Sequence, residues 1–203
     1  MQIEPITIEE DYLMKKLRFV LVVTIIAVVC SGCAVSLPFN NRLSYPAVRD
    51  AKNFAATTKG PISVKWIPSS FPSRIDVKGA SGFVGGGSQT RIPTGVGLAN
   101  RILEAVDASI GILDSSNKTL TIEIIKAETE FEYSAGFFNI TPAIDVGRCR
   151  LEAEFAIGNK RWKEKFFSES KDPTIGGTSQ TAVVEKVWDE VAIQVVRSVI
   201  QHL

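Results

Sequence analysis

The segment 147–170, GRCRLEAEFAIGNKRWKEKFFSES, constrains the fold more than any other part of the chain. Apolar and charged residues alternate along it, and Gly158-Asn159 is a candidate two-residue hairpin turn of type II′. Because such a turn fixes the strand register, the facing side chains can be counted. The inward pairs are Phe155 with Trp162, Leu151 with Phe166, and Cys149 with Ser168, and the outward pairs are Glu154 with Lys163, Glu152 with Lys165, and Arg148 with Glu169. All three outward pairs join opposite charges, which favours this register, so the sequence predicts an antiparallel hairpin.

Glu164 breaks the pattern, because the same count places it opposite Ala153 on the core face. A carboxyl group in that position is a candidate acid with a perturbed pKa. The simpler interpretation is a side chain near the end of the sheet that reaches solvent, and this is the one we expect.

Further periodic segments flank the hairpin. Alternation predicts strands at 62–68, 73–79 and 118–133, the last with a change of parity that indicates a β-bulge near Ile124–Ile125. Helical periodicity predicts helices at 94–111 and 178–203. The expected caps are Thr94 and Gly111 for the first helix and Thr178 or Ser179 for the second.

The N-terminal region is typical of a targeting segment. Lys15, Lys16 and Arg18 precede the apolar run 19–29, which is too short to span a bilayer comfortably but suits a secretory signal. The run leads into Cys30-Ser-Gly-Cys33, and this stretch resembles a bacterial lipobox. The resemblance implies that Cys33 is acylated on its sulfur, becomes the new N-terminus and is acylated again on its amine.

Two alternatives remain for the same stretch. It can be a plain cleaved signal or membrane anchor, or the two cysteines can form a Cys-x-x-Cys redox or metal motif. A redox pair needs a folded setting that lowers one thiol pKa. A zinc site needs two more ligands, for which the chain offers only Cys149 and His202.

The expected organisation is a signal peptide at 1–32 with translation starting at Met14, a lipidated N-terminus and tether at 33–58, and a single domain at 59–203. Removing 1–32 takes three basic and four acidic residues from totals of 23 and 22, which leaves a net charge of about +2. This balance argues against a nucleic-acid partner, which favours clustered Lys and Arg. Cys149 is then the only cysteine without lipid, so no internal disulfide is expected.

The candidate binding residues lie in two loops. The Gly-rich stretch 79–95 lacks the Gly-Lys-Ser/Thr of a P-loop and the spacing of a dinucleotide turn. Arg91 and the helix start at Thr94 can still hold an anion, which gives the alternative function of a small-ligand or anion-binding module. The loop 134–147 is apolar, and its Phe137, Phe138, Ile140 and Ile144 either contact a partner or the membrane or fold back onto the core.

No catalytic or metal-binding set is predicted. Glu128, Glu130 and Glu132 share one strand face, where we expect them to pair with Arg148 and Arg150. His202 is the only histidine and lies one residue from the C-terminus, where fraying would deprive a Ser-His-Asp site of its support.

Four segments, LANRILEAVDASIG, LTIEIIKAE, RLEAEFAIGNKRWKEKFFSES and AVVEKVWDEVAIQVV, together resemble small Gram-negative envelope lipoproteins of the YajG type and the auxiliary lipoproteins of ABC-type envelope transporters. The resemblance covers roughly 60–203. It implies an α+β domain with an antiparallel or mixed β-sheet and two helices on one face.

The same resemblance implies a function without enzyme activity. The expected role is a lipid-anchored accessory or binding subunit in envelope transport, assembly or maintenance, with an envelope protein as partner. The only attached groups would be the diacylglycerol and the N-acyl chain on Cys33. Ala34 follows the cysteine where an Asp would resemble an inner-membrane retention signal, so the expected location is the periplasmic face of the outer membrane.

Overall fold

The computed structural model describes residues 38–54, 60–72, 90–134, 144–173 and 180–203, together with residues 16, 35 and 36. The chain forms two compact units, Met1–Cys33 and Ala34–Leu203, and the second contains every element whose bounds are described. The predicted signal peptide, Cys33, the predicted strand 73–79 and the predicted caps Thr178 and Ser179 lie outside the described residues.

The helices are α1 (Tyr45–Asn53), α2 (Thr94–Ser109) and α3 (Gln180–His202), and the strands are β1 (Val35–Ser36), β2 (Ser63–Ile67), β3 (Thr90–Arg91), β4 (Thr119–Ser134), β5 (Ile144–Ile157) and β6 (Lys160–Pro173). Strands β1 and β3 pair in parallel. The other four form a sheet in the order β2-β4-β5-β6, in which β2 is parallel to β4 and the remaining pairs are antiparallel.

The predicted α+β fold with a mixed sheet and two helices on one face is confirmed. Helices α2 and α3 contact each other, and α3 lies along β5 and β6. Helix α1 is a third helix that the sequence did not predict, and it contacts both α2 and α3. The core between helices and sheet is almost entirely aliphatic and aromatic.

The hairpin has the predicted register. Strands β5 and β6 pair Phe155 with Trp162, Leu151 with Phe166, and Arg148 with Glu169. The other three predicted pairs are also present. The turn is at Gly158, whose φ of 57° lies in the left-handed region that favours glycine.

The predicted β-bulge is also confirmed, since the register of β4 against β5 shifts between Ile124 and Lys126. Ile125 is the extra residue, and its side chain is 47% exposed. On the core face, Leu120 and Ile122 before the bulge and Thr129 and Phe131 after it are buried. The bulge therefore keeps the apolar side of β4 on the core across the change of parity.

Both predicted helices bury one apolar face, with Leu98, Ile102 and Val106 on the first and Val184, Trp188 and Val191 on the second. One cap differs from its prediction. Thr94 is the first residue of α2, and Pro93 is in the N-cap position without a side-chain cap. The Thr94 side chain is fully buried beneath the helix, so it does not turn back to cap the first turn. Gly111 ends the helix as expected, with a φ of 86° and an amide that donates to the carbonyl of Asp107 at 3.0 Å.

The sheet has two ends that organise the rest of the domain. At the loop end, β4 stops at Ser134, β5 begins at Ile144 and β6 stops at Pro173; the hairpin end contains Gly158-Asn159 and the start of β4. The 16 residues of β4 span about 50 Å at roughly 3.3 Å per residue.

Helices α2 and α3 both run from the loop end to the hairpin end. The space beside Gly147 is filled by Val183 near the start of α3, and His202 at its end stacks on Trp162. Helix α2 ends where the carbonyl of Gly111 accepts from the amide of Ile62, beside the start of β4.

The predicted tether is wrong for residues 38–54. Ser44 caps α1 by accepting from the amide of Ala47, and Pro46 is in the first turn, where it disrupts no helical hydrogen bond. Leu43, Ala47 and Ala51 are buried against the rest of the domain. Residues Tyr45–Asn53, which were expected to be part of the tether, instead form a short helix.

Candidate functional site: the docked N-terminal arm

Residues 38–44, which we call the arm, connect the candidate lipidation site to α1 and lie against the helices. The ring of Phe39 contacts that of Trp188, with centroids 5.3 Å apart. The amide of Asn40 donates to Oε1 of Glu185 at 2.7 Å, and the amide of Leu43 donates to Oε2 of Glu104 at 2.8 Å. Carboxylates of α2 and α3 thus satisfy backbone donors of a segment that is not itself helical.

A buried ion pair lies under the arm. Nε of Arg101 on α2 donates to Oδ1 of Asp189 on α3 at 2.7 Å, and the Arg101 side chain is 1% exposed. Oδ2 of Asp189 accepts from the amide of Ser44 at 3.3 Å, so one carboxylate joins the arm to both long helices. A buried charge is costly without its partner, so the pair fixes α2 against α3, and the amide of Ser44 binds to that fixed carboxylate.

Trp188 extends this contact to the sheet. Its Nε1 donates to Oγ1 of Thr129 on β4 at 2.8 Å, and the guanidinium of Arg101 lies 5.1 Å from its ring centroid. On α2 the ring meets Gly97, where an added Cβ would be 2.6 Å from the ring atom Cζ3. Glycine at 97 is required by this close approach.

A groove of about 400 Å³ separates α1 from α3 beside the arm. Its charged lining is mixed, with Lys186 and Arg197 among the cations and Asp50 and Glu190 among the anions. The Arg197 guanidinium lies 5.0 Å from the ring centroid of Phe54. Mixed charge of this kind does not select one class of ligand.

On the outer face of the sheet, Glu130 and Glu132 form the predicted pairs with arginines, whereas Glu128 lies 2.9 Å from Nζ of Lys126 instead. Arg148 contacts Glu132 at 2.8 Å and Glu169 at 2.6 Å, and Arg150 contacts Glu130 at 2.7 Å. The hydrogen bonds that Arg148 donates to the carboxylates of Glu132 and Glu169 raise its pKa. Glycoside hydrolysis needs two carboxylates on opposite sides of a cleft. These carboxylates all lie on one surface and do not have that geometry.

The ion pairs of the outer face, which we call the ion-pair ladder, continue towards the hairpin end. The carboxylate of Glu152 is 2.8 Å from Nζ of Lys163 and 3.5 Å from Nζ of Lys165. The hydrogen bond from Lys163 lowers the pKa of Glu152, and the hydrogen bond from Lys171 is the largest cause that lowers the pKa of Glu169.

Glu164 and His202 are both engaged at the hairpin end. Ser198 on α3 donates to Glu164 and accepts from Nε1 of Trp162 at 2.9 Å. Glu164 is therefore half-buried and bonded to a helix, not simply extended into solvent as expected. The expected fraying at His202 is wrong, since its ring stacks on Trp162 with centroids 4.2 Å apart. Because the Ser198 hydroxyl is directed to the carboxylate and not to the imidazole, this cluster is not a Ser–His nucleophile pair.

The remaining candidate residues are placed only in part. Cys33, Phe137, Phe138 and Ile140 lie outside the described residues, while Ile144 is the half-buried first residue of β5. Only the backbone of Arg91 is described, where it pairs with Ser36, so the anion-binding hypothesis stays a prediction.

Cys149 is fully buried, as its inward register predicts, and burial raises its pKa to about 12. Within the described ranges, no group of three His, Cys, Asp or Glu side chains could hold a metal ion. In the same ranges no helix has the length and apolar composition that crossing a membrane requires.

The sequence missed the Arg101–Asp189 pair and the arm. Arg101 lies beside the apolar residues Leu98 and Ile102 of α2. Its position in the sequence does not show whether the guanidinium is buried or reaches water along its aliphatic stem. One available signal was that Asp189 directly follows Trp188 in sequence, and Trp188 lies on the apolar stripe of α3.

No protein-family model matches the chain, and no curated protein matches its sequence. Among solved structures, the chain is similar to a minor lipoprotein from Acinetobacter baumannii, with 8% identity, 70% of this chain and 91% of that chain covered, and a TM-score of 0.43. It is similar to the rare lipoprotein B from Shewanella oneidensis, with 14% identity, 70% and 92% covered, and a TM-score of 0.38. An uncharacterized protein matches with 13% identity, 82% and 99% covered, and a TM-score of 0.42. All three TM-scores are below 0.5, so these similarities carry no argument about the activity of this chain.

Proposed function

We propose that this chain is a lipid-anchored lipoprotein of the bacterial envelope that acts by binding, as a non-enzymatic accessory subunit in envelope transport, assembly or maintenance. The observation that carries the proposal is the basic and apolar segment that ends at Ser31-Gly32-Cys33. Diacylglycerol on the Cys33 sulfur and an acyl chain on its amine provide more than one chain, and attachment by several chains is effectively permanent.

The docked arm supports a stationary role. A lipoprotein that searches for a soluble substrate gains reach from a long linker, whereas here Phe39 and Leu43 contact the helices a few residues after the candidate anchor. A short connection suits a subunit that holds a fixed place beside a membrane-bound partner.

The distribution of polar groups supports binding over catalysis. Glu130, Glu132 and Glu169 are engaged in ion pairs, and Ser198 is bonded to Glu164. Glycoside hydrolysis needs two carboxylates on opposite sides of a cleft, whereas Glu130, Glu132 and Glu169 share one face of the sheet. The partner we propose is an envelope protein, at the periplasmic face of the outer membrane because Ala34 and not Asp follows the cysteine.

The test is to express the full chain and Cys33→Ser in a Gram-negative host, with mass spectrometry of the N-terminal peptide and separation of inner and outer membranes. We expect a peptide beginning at an acylated Cys33 in the outer-membrane fraction and an unprocessed, unacylated Cys33→Ser chain. Extraction of the native chain in mild detergent should recover a stoichiometric envelope protein. An unmodified Cys33 would overturn the anchoring, and an acylated chain without any partner would overturn the accessory role.

A further inference from the structure

We propose that the domain meets the lipid surface with its loop end and holds its hairpin end about 50 Å away, at the roughly 3.3 Å per residue of β4. This orientation rests on the proposed acylation of Cys33. It assigns the bilayer as the occupant of one end of the molecule and leaves the opposite end in the aqueous compartment.

The first argument is the length of chain after the anchor. Cys33 is two residues before Val35, and Val35 pairs with Thr90 while Ser36 pairs with Arg91. Two extended residues span about 7 Å. Chain length alone therefore limits an acylated Cys33 to about 7 Å from Val35, whose partner strand β3 ends three residues before α2 begins at Thr94.

The second argument is the direction of the arm. Asn40 contacts Glu185, and Ser44, further along the arm, contacts Asp189, one helical turn further along α3. Since α3 runs from the loop end to the hairpin end, the arm runs the same way, and its start is on the side of the loop end. The buried Arg101–Asp189 pair holds it there, which prevents the domain from turning over on a slack linker.

The third argument is the direction of α2. This helix ends beside Ile62 at the hairpin end, and therefore starts towards the loop end. Both measures of where Cys33 attaches, through β3 and through the arm, thus give the same end of the sheet. Residues 135–143 connect Ser134 to Ile144, and both of these residues are at this end. The connection contains Phe137, Phe138 and Ile140. The orientation rests on the arm and not on this connection.

The hairpin end has the character of a surface in water. Asn159, Lys160 and Arg161 are exposed there. Nζ of Lys160 donates to the carbonyl of His202 at 2.7 Å, which fixes the end of α3 to the hairpin. This exposed, positively charged tip is the part of the domain that a partner distant from the membrane would meet.

The test uses three fluorescent labels as a ruler along one strand and its turn. Lys171→Cys, Lys165→Cys and Asn159→Cys are made separately in the full acylated chain; all three positions are exposed, and each step of six residues spans about 20 Å. Native Cys149 does not take the label, because it is buried with a raised pKa, and the sulfur of Cys33 carries lipid. Each protein is reconstituted into phosphatidylethanolamine–phosphatidylglycerol vesicles that contain an acceptor dye on the lipid headgroup.

We expect energy transfer to the lipid to be highest from position 171, intermediate from 165 and lowest from 159. Equal transfer from all three positions would mean that the sheet lies flat, and the reverse order would mean that the hairpin end faces the bilayer; either result overturns the orientation while leaving the anchoring intact. Flotation of the same vesicles separates the two hypotheses. Protein that fails to float with the lipid overturns the anchoring and the orientation together.

Discussion

At the scale of single residues, the charge pair Arg101–Asp189 is the contact whose removal we expect to be most damaging. Asp189→Ala leaves a guanidinium that is 1% exposed without its carboxylate, which costs about 3–5 kcal/mol for a buried pair. Urea denaturation measures this loss. Glu128→Ala is the matched control, since it breaks the exposed pair with Lys126 and should cost under about 1 kcal/mol. A loss no larger than that of the control would contradict the structural role of the pair.

For Gly97→Ala, the sign of the change in unfolding free energy shows whether the Trp188 ring packs against this position. In an open helix, Gly→Ala stabilises by about 0.5–1 kcal/mol, but here the new Cβ would be 2.6 Å from the Trp188 ring. We expect Gly97→Ala to destabilise by about 1–3 kcal/mol, as overpacking does. In a Trp188→Phe background the smaller ring leaves space, so thermal denaturation should show a reduced or absent penalty for the same change. An identical penalty in both backgrounds would rule out the ring as its cause.

At the scale of elements, α1 and the arm should behave as folded structure. Trypsin cleaves flexible chain after Arg and Lys, and Arg42 and Arg49 would be accessible in a tether. We expect both sites to resist limited proteolysis in the native domain. Ala51→Glu places a charge at a fully buried position and should expose them, whereas Tyr45→Glu on the same helix should not, because Tyr45 is 82% exposed. Rapid cleavage of the unaltered chain at Arg42 would contradict the docking of the arm.

The elements that the sequence predicted correctly are those whose signal is local. The hairpin follows from strict alternation about Gly158-Asn159, and the bulge follows from the change of apolar parity at Ile124–Ile125. A slip of one residue would have exposed every core side chain of the strand, so the register had one acceptable solution. The parallel pairing of β2 with β4 has no such local signal, because the two strands are far apart in sequence.

The candidate site was harder to predict than the fold. Helix α1 has only nine residues, and a helix of that length is marginal in isolation, so its stability comes from contacts with α2 and α3. The N-cap residue Ser44 is bonded through its amide to Asp189, which pairs with the buried Arg101, and both are residue types that are normally found in water.

At the scale of the whole molecule, the charges are sorted by surface. The helix side of the sheet is apolar apart from bonded groups such as Thr129 and Glu164. The outer face carries an ion-pair ladder across β4, β5 and β6, and β6 forms the edge of the sheet. Lysines along an edge strand, together with an inward-directed charge such as Glu164, are features by which sheets avoid pairing with other chains. The outer face and this edge are therefore suited to remaining unpaired in water.

The ladder makes a prediction about acid stability. Hydrogen bonds from Lys163 and Lys171 lower the folded-state pKa values of Glu152 and Glu169 from their ordinary value of 4.5. A lowered pKa contributes stability above the unfolded value, and that contribution disappears as the pH falls through the folded value. We therefore expect the urea concentration at the unfolding midpoint to decrease as the pH is lowered below about 4.5. The decrease should be smaller in Glu152→Gln and in Glu169→Gln. Glu154→Gln is the control, because Glu154 is on the same face of β5 and forms no ion pair with the residues that the structure describes. An acid-induced fall equal in all three variants would show that the ladder does not contribute.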